Sequence, residues 1–404
     1  MTGGIVGSVF VFGGTPRAAI ERIRRTHAAK EMALITEIMS MKRINHKTKI
    51  AVLSVLSASS LPVFAQSSVT LFGMMDTGIT YVSNQGGQHN VKMDDGVNGP
   101  NLWGMRGSED LGGGTKAIFE LVNQYQLDNG SFMTGKSLFS RTSIVGLTNP
   151  VAGKLTLGNQ YDFMTDSLFA AGDDPSNLSG HFYAFRAGPF QKLDLPSNPT
   201  GAFDWDRMAG ETIDSSVKYV TPTFAGFSAG AMYRFGGVAG SIGAGNASSF
   251  ALNYAAGNFG ANAAYTNVKY TSASTSVQNW GVGTHYHFGS VLMNALFTTV
   301  RNSINGGSVY QGSAGAQYNF TPALSAGAAY MYMKGNQVVD NNHANQLAAN
   351  VDYALSKRTS VYVLGVYQRA SSGGLAQING MNSSDGASSG TTQAVARIGL
   401  HTRF

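Results

Sequence analysis

Across most of the chain after residue 65, apolar and polar residues alternate with a period of two. Successive side chains of a strand point to opposite faces, so each such segment has one apolar and one polar face. In 227–235, Phe227, Ala229, Ala231, Tyr233 and Phe235 share one face; Ser228, Gly230, Met232 and Arg234 share the other. In 344–355 the apolar face is Leu347, Ala349, Val351, Tyr353 and Leu355, set against Gln346, Asn350 and Asp352. Sixteen segments of this kind are expected, with cores at 68–82, 101–109, 115–127, 137–148, 153–160 and 211–220, then ten more ending at 391–404. Short connections such as 149–152 and 221–225 alternate with long ones at 83–100, 161–210, 236–247, 335–343 and 370–390. Long faces with a helical period are absent.

Two architectures use many two-faced strands. A soluble sandwich or barrel turns the apolar face inward, whereas a membrane barrel turns it toward lipid and encloses the polar face. The polar faces here are rich in Ser, Asn, Gln and Gly. Charged residues make up 12% of the chain, against roughly 25% in ordinary soluble domains. Tyr and Phe gather near strand ends, as in 310–320, and the chain ends on Phe404 with Leu400, Ile398 and Ala396 on the same face. Residues 66–404 shared among sixteen strands give about 21 residues each, enough for a tilted spanning strand of roughly 9–11 residues plus a connection. A barrel of sixteen to eighteen strands encloses an aqueous channel. The expectation is therefore all-β: a sixteen-stranded antiparallel transmembrane β-barrel.

Residues 41–65 read as a secretory signal, with Lys42, Arg43, Lys47 and Lys49 before an apolar core at 50–56 and small residues leading to Ala65. Cleavage is expected between Ala65 and Gln66. Residues 1–40 then stand upstream of the signal and read as a spurious or uncharacterised extension, with Met41 the expected start. Of the 28 Lys+Arg and 22 Asp+Glu, nine and three lie in 1–65, leaving nineteen of each in 66–404. The net charge of +6 thus belongs to the leader, and no basic cluster for nucleic acid remains. The chain has no cysteine, which excludes disulfides, thiolate metal sites and a cysteine nucleophile.

The segments SSVTLFGMMDTGI (67–79), LWGMRGSEDLGGGTKAIFELVNQY (102–125), FSRTSIVGLT (139–148), KLTLGNQYDFMTD (154–166), SSVKYVTPTFAGF (215–227), YALSKRTSVYVL (353–364) and the IGLHTRF terminus (398–404) resemble the Gram-negative general porins of the neisserial and Burkholderia type. The resemblance implies a homotrimer in the outer membrane, among lipid and lipopolysaccharide, whose third external loop folds inward as a constriction. It implies passive diffusion of ions and small hydrophilic solutes, and delivery to the barrel-assembly machinery through the C-terminal strand ending in Phe404. The family usually carries Arg at the positions of Leu102 and Asn159, both lumen positions, so its common anion preference is not expected here. Arg141 does match a family basic position.

The 161–206 connection holds Asp162, Asp166, Asp173, Asp174, Asp194, Asp204 and Asp206 against Arg186 and Lys192. Its aromatic residues need a surface to pack on, so it is the expected constriction loop rather than a solvated external one. Arg106, Arg141, Lys218 and Arg234 are the candidate bases of the facing wall, each also readable as a surface charge at a strand end. Asp76 lies on the polar face of the first strand. His285 and His287 share a face but lack a third ligand, so no metal or cofactor is expected. The LGGGTK run at 111–116 is a hairpin turn rather than a phosphate loop. No catalytic constellation emerges, and an enzyme is not expected. A substrate-specific channel and a surface β-protein acting as a binding module are the competing readings.

Overall fold

The structure is a computed structural model that describes residues 68–132, 137–179, 188–195, 212–270, 275–378 and 386–404. The expected signal at 41–65 and the extension 1–40 lie outside these residues.

Among the described residues, seventeen strands follow one another along the chain. They are β1 (Ser68–Gln85), β2 (Gln88–Asp95), β3 (Leu102–Gly112), β4 (Thr115–Gln124), β5 (Thr142–Asn149) and β6 (Gly153–Gln160). After the long connection come β7 (Ile213–Val220), β8 (Phe227–Arg234), β9 (Ala247–Ala256), β10 (Phe259–Lys269), β11 (Ser276–Phe288) and β12 (Val291–Asn302). The rest are β13 (Ser308–Asn319), β14 (Leu324–Gly335), β15 (His343–Ala354), β16 (Thr359–Ala370) and β17 (Thr392–Arg403). Each pairs antiparallel with its neighbours, and β1 pairs with β17 to close the sheet. The first half of β1 pairs with β3 and the second half with β2. β2 and β3 are therefore two halves of one stave, and the barrel has sixteen staves.

That arrangement corrects one boundary. The 83–100 segment is not a long connection. A tight turn at Gly86 and Gly87, with φ of 62° and 100°, starts β2 at once, and only 96–101 leaves the sheet. Glycine supplies the positive φ that this turn requires. β2 looks like a loop because His89, Asn90, Lys92, Asp94 and Asp95 crowd it, although Val91 and Met93 still alternate with them.

Directly opposite residues on paired strands share a face, so one row can be followed around the barrel. Thr70 opposes Arg106, then come Glu120, Ile144, Gly158, Ser216 and Arg234, all on the inner face. The outer face carries exposed Val69, Leu71, Val145, Leu147, Leu252, Val363 and Ile398. Apolar residues thus face outward to lipid and polar residues inward. Within bilayer lipid no water can satisfy a free strand edge, so closure between β1 and β17 is obligatory.

The closing seam depends on one missing side chain. The Phe404 ring lies over Gly73, where a Cβ would come within 2.2 Å of it. Gly73 N–H donates to the Phe404 carbonyl at 3.2 Å and Phe404 N–H returns the bond at 3.1 Å. Gly73→Val should displace the terminal ring and lower the yield of heat-modifiable barrel in outer membranes. A wild-type yield would show that the ring is not held there.

Candidate functional site: the inward loop and the facing wall

The connection between β6 and β7 turns into the barrel rather than away from it. Asp162 starts the turn: its carboxylate accepts from the Thr165 N–H and hydroxyl, both at 3.0 Å, and from the Thr266 hydroxyl of β10 at 2.7 Å. A π-helical turn, Met164–Phe169, follows and buries Phe163, Met164 and Leu168 against Ile213, Met232, Ala247, Ala264, Val268 and Leu296.

Inward glycines mark the track that the loop follows along the wall. A Cβ on Gly230 would meet the Phe163 ring at 2.1 Å, one on Gly281 would meet Leu168 at 2.9 Å, and one on Gly283 would meet Asp173 at 2.5 Å. Further on, Gly315 lies under Pro175 and Gly327 under the Leu178 carbonyl. A second piece, 188–195, docks Phe190 and Leu193 against Tyr270, Val277, Val300, Val309 and Met333. Lys192 pairs there with Asp340 at 2.8 Å.

Most of the loop acids are held in place. Asp173 bonds His285 Nδ1 at 2.6 Å through one oxygen and accepts from Asn262 at 2.8 Å through the other. The sequence flagged His285 as half of a histidine pair; its position on β11 makes it the loop's docking partner. Asp174 caps the next turn, accepting the Ser176 N–H at 2.8 Å. Asp166, by contrast, is exposed and pairs with Lys218, whose ammonium also donates to the Tyr161 carbonyl at 2.7 Å. Asp204, Asp206 and Arg186 lie outside the described residues. Burial pushes Asp162 up to about 6 from the ordinary 3.8, with the Thr165 and Thr266 hydrogen bonds and the Lys218 charge offsetting part of the rise. Burial also raises Asp173, against the pull of Asn262 and His285.

On the wall, Arg106 points inward and is exposed, its guanidinium 5.2 Å from the Phe72 ring centre. Glu120 lies directly across from it on β4. Arg141 donates to Gln124 and covers the Tyr161 ring at 5.2 Å. Arg234 is buried between Asp214, at 2.6 Å, and the Gly245 carbonyl. A cavity of about 260 Å³ opens beside Arg106, lined also by Ile118, Glu120, Ile144 and Lys154.

Asp76 faces inward but is fully buried. It accepts from the Tyr362 hydroxyl at 2.8 Å and the Val97 N–H at 2.9 Å, and pairs with Arg397 at 3.2 Å. Arg397 also pairs with Asp94 and donates to the Thr80 hydroxyl at 2.8 Å. Sequence reasoning singled out neither Arg397 nor Asp94. Their signal was available: both occupy inward positions by the two-residue alternation, Asp94 between outward Met93 and the strand end and Arg397 between outward Ala396 and Ile398, and the lack of a side chain on Gly399 makes room for the Tyr362 ring. Among the described residues no group of three His, Asp or Glu is arranged to hold a metal.

A closed barrel that is apolar outside and polar within, with a loop laid along its inner wall, defines an outer-membrane pore-type protein. The chain belongs to the Gram-negative porin family, whose profile matches residues 51–373. It is 35% identical to outer membrane porin protein 32 of Delftia acidovorans over 191 residues, 47% of this chain and 50% of that one. Matches of this kind span about half the length of the curated relatives. The anion-selective porin from Comamonas acidovorans superposes with a TM-score of 0.66 at 24% identity, over 84% of this chain and all of that one. The trimer form of the in-vitro folded outer membrane protein OmpT of Vibrio cholerae superposes with a TM-score of 0.59 at 15% identity, over 84% and 99% of the two chains. At these identities the superpositions speak for the fold.

Removing one member of a buried charge network leaves the others uncompensated, at a cost of about 3–5 kcal/mol. Arg397→Met should therefore lower the heat-modification midpoint far more than Arg106→Gln, and equal midpoints would refute the network's role. The raised value at Asp162 has its own sign. The folded loop holds the proton more tightly than the unfolded chain, so this group's contribution grows as pH falls through about 6 toward 4 and is lost as pH rises. Asp162→Asn should flatten the change in midpoint between about pH 7 and about pH 5. An undiminished slope would place the titration elsewhere.

Proposed function

We propose that the protein is a homotrimeric outer-membrane channel for passive diffusion of ions and small hydrophilic solutes, with no enzymatic activity. The observation that carries this reading is the loop docked by Asp162, Phe163, Leu168 and Asp173 along the inner wall of a barrel whose inward face is polar. The trimer follows the family and the solved trimer form of OmpT. Lipid and lipopolysaccharide would surround it, and the strand ending in Phe404 would present it to the barrel-assembly machinery.

Selectivity in this reading arises from a field between loop acids and wall bases, because charges at a narrow point lose bulk screening. The constriction set comprises Asp162, Asp166, Asp173 and Asp174 on the loop with Arg106, Arg141, Lys218, Arg234 and Asp76 on the wall. Within it, exposed Asp166 and Arg106 act directly on passing ions, while the buried members fix the loop and the wall. The Comamonas acidovorans relative is titled anion-selective. This chain has Leu102 on the inner face where the family usually has an arginine, which favours little ion preference or a weak cation preference. Asn159, expected to face the lumen, instead opposes Ser143 on the outward row and donates to the Ser140 carbonyl, so its substitution does not bear on the lumen charge.

Reversal potentials in a salt gradient across planar bilayers test the reading. The wild type should sit near zero or slightly toward cations, Asp166→Asn should move toward anions, and Arg106→Gln toward cations. Strong anion selectivity in the wild type, or no shift in either variant, would overturn the proposed field. Saturable block by one solute class would favour a substrate-specific channel instead.

A further inference from the structure

The cavity beside Arg106 lies on the part of the inner wall built by β1 and β3 to β6, away from the docked loop. Register sets its walls. One inward row runs Thr70, Arg106, Glu120 and Ile144 across β1, β3, β4 and β5. The next row toward the short turns places Ile118 on β4, and Lys154 stands one row further on β6. Ile118 and Ile144 are half-buried, and neither belongs to the apolar clusters that hold the loop. They therefore present apolar surface to the lumen with no protein group over it.

The charges around these isoleucines are unspent. Arg106 and Glu120 are directly opposite on paired strands, the position from which a cross-strand ion pair ordinarily forms. They do not form one: the Arg106 guanidinium stands 5.2 Å from the Phe72 ring centre instead. Among the described residues Glu120 and Lys154 have no ion-pair partner either. The cavity thus offers a forked cation, a carboxylate, a second cation and an apolar floor within about 260 Å³. That volume is below the roughly 300–1,000 Å³ of sites for drug-sized ligands, so it suits a smaller solute. A simple anion would meet Glu120, a simple cation would meet two bases, and either would leave the isoleucines uncovered. An α-amino acid answers every feature at once, because one carbon carries its carboxylate, its ammonium and its side chain.

We propose that Arg106, Glu120, Lys154, Ile118 and Ile144 form a lumenal subsite for free α-amino acids with apolar side chains. Arg106 donates its fork to the carboxylate, and Glu120 accepts from the ammonium. Ile118 and Ile144 take the side chain, whose burial adds affinity in proportion to the area covered. Lys154 leaves the subsite with one net positive charge, which favours carboxylate-bearing solutes over plain amines. Binding is weak enough to release the solute, as conduction requires. The subsite rests on the reading of the barrel as a diffusion channel and names one solute class held in transit.

The test is equilibrium dialysis of radiolabelled L-leucine against the detergent-solubilised exported protein at low salt, with unlabelled competitors. Leucinol lacks the carboxylate, 4-methylpentanoate lacks the ammonium and glycine lacks the side chain. Leucine should bind saturably, and each competitor should need about tenfold more than leucine to displace it, the scale of one lost charge-assisted contact or one uncovered side chain. Absence of saturable binding, or equal competition by 4-methylpentanoate, would overturn the subsite without any variant. Glu120→Gln should erase the advantage of leucine over 4-methylpentanoate, and Ile144→Ser its advantage over glycine. A Glu120→Gln barrel that is heat-modifiable like the wild type and keeps the preference would also refute it. Planar-bilayer conductance separates the two readings. A wild type that conducts but does not bind leucine sinks the subsite alone, whereas one that binds leucine with this selectivity and does not conduct supports the subsite and sinks the channel.

Discussion

A backbone in lipid cannot leave its hydrogen-bonding groups unmade, since each orphaned group in hydrocarbon costs several kcal/mol. For a chain built of two-faced strands that demand admits one solution, a sheet with no edge. The pairing of β1 with both β17 and the split stave β2–β3 shows how completely it is met. Even where 96–101 leaves the sheet, Asp76 accepts the Val97 and Asn98 N–H groups with its carboxylate, so the gap in the ladder is closed by a side chain. The burial of Asp76 and Arg397 follows from that repair. The excursion needs an acceptor, the acceptor is a charge, and the charge needs a counter-ion.

Closure also creates a cavity, and the inner wall must receive whatever narrows it. The loop is held by apolar burial and by polar anchors together. Phe163, Leu168 and Phe190 each leave water almost completely, a contribution of about 1.5–3 kcal/mol apiece. Such burial on a polar wall is possible only where wall side chains are absent. Gly230, Gly281, Gly283, Gly315 and Gly327 provide that relief on four different strands. The abundance of glycine therefore has a structural cause beyond turns: part of it is the imprint of the loop on the wall.

The alternation of residues made the staves, their inward and outward faces and the ends of most strands legible, because lipid and water sort side chains strictly by parity. Parity also placed Arg106, Lys218 and Arg234 on the inner face. It could not reveal which of them would be consumed in pairs, since Lys218–Asp166 and Asp214–Arg234 depend on how a loop and a strand end fold back. The acids of 161–174 looked alike in the sequence. In the fold they divide between the exposed Asp166 and the buried Asp162, Asp173 and Asp174. The Arg397 cluster was hidden for a related reason: its members come from β1, β2, β16 and β17, and only closure brings the chain ends together.

A neutral total for residues 66–404 thus conceals three separate electrostatic settings. Charges in the wall core, such as Asp76, Asp94 and Arg397, are shielded from salt and act as structure. Charges open to the lumen, such as Arg106, Glu120 and Asp166, lie within about a Debye length of passing ions and are tuned by ionic strength. Charges on the outward face, such as Arg301, stand at the loop ends of their strands, away from both the lumen and the wall core. One residue type serves all three: an arginine is a buried strut at 397, a lumen charge at 106 and an outward strand-end charge at 301. The number of charges is therefore less informative than the face of the sheet on which each one stands, and strand register assigns that face before any distance is measured.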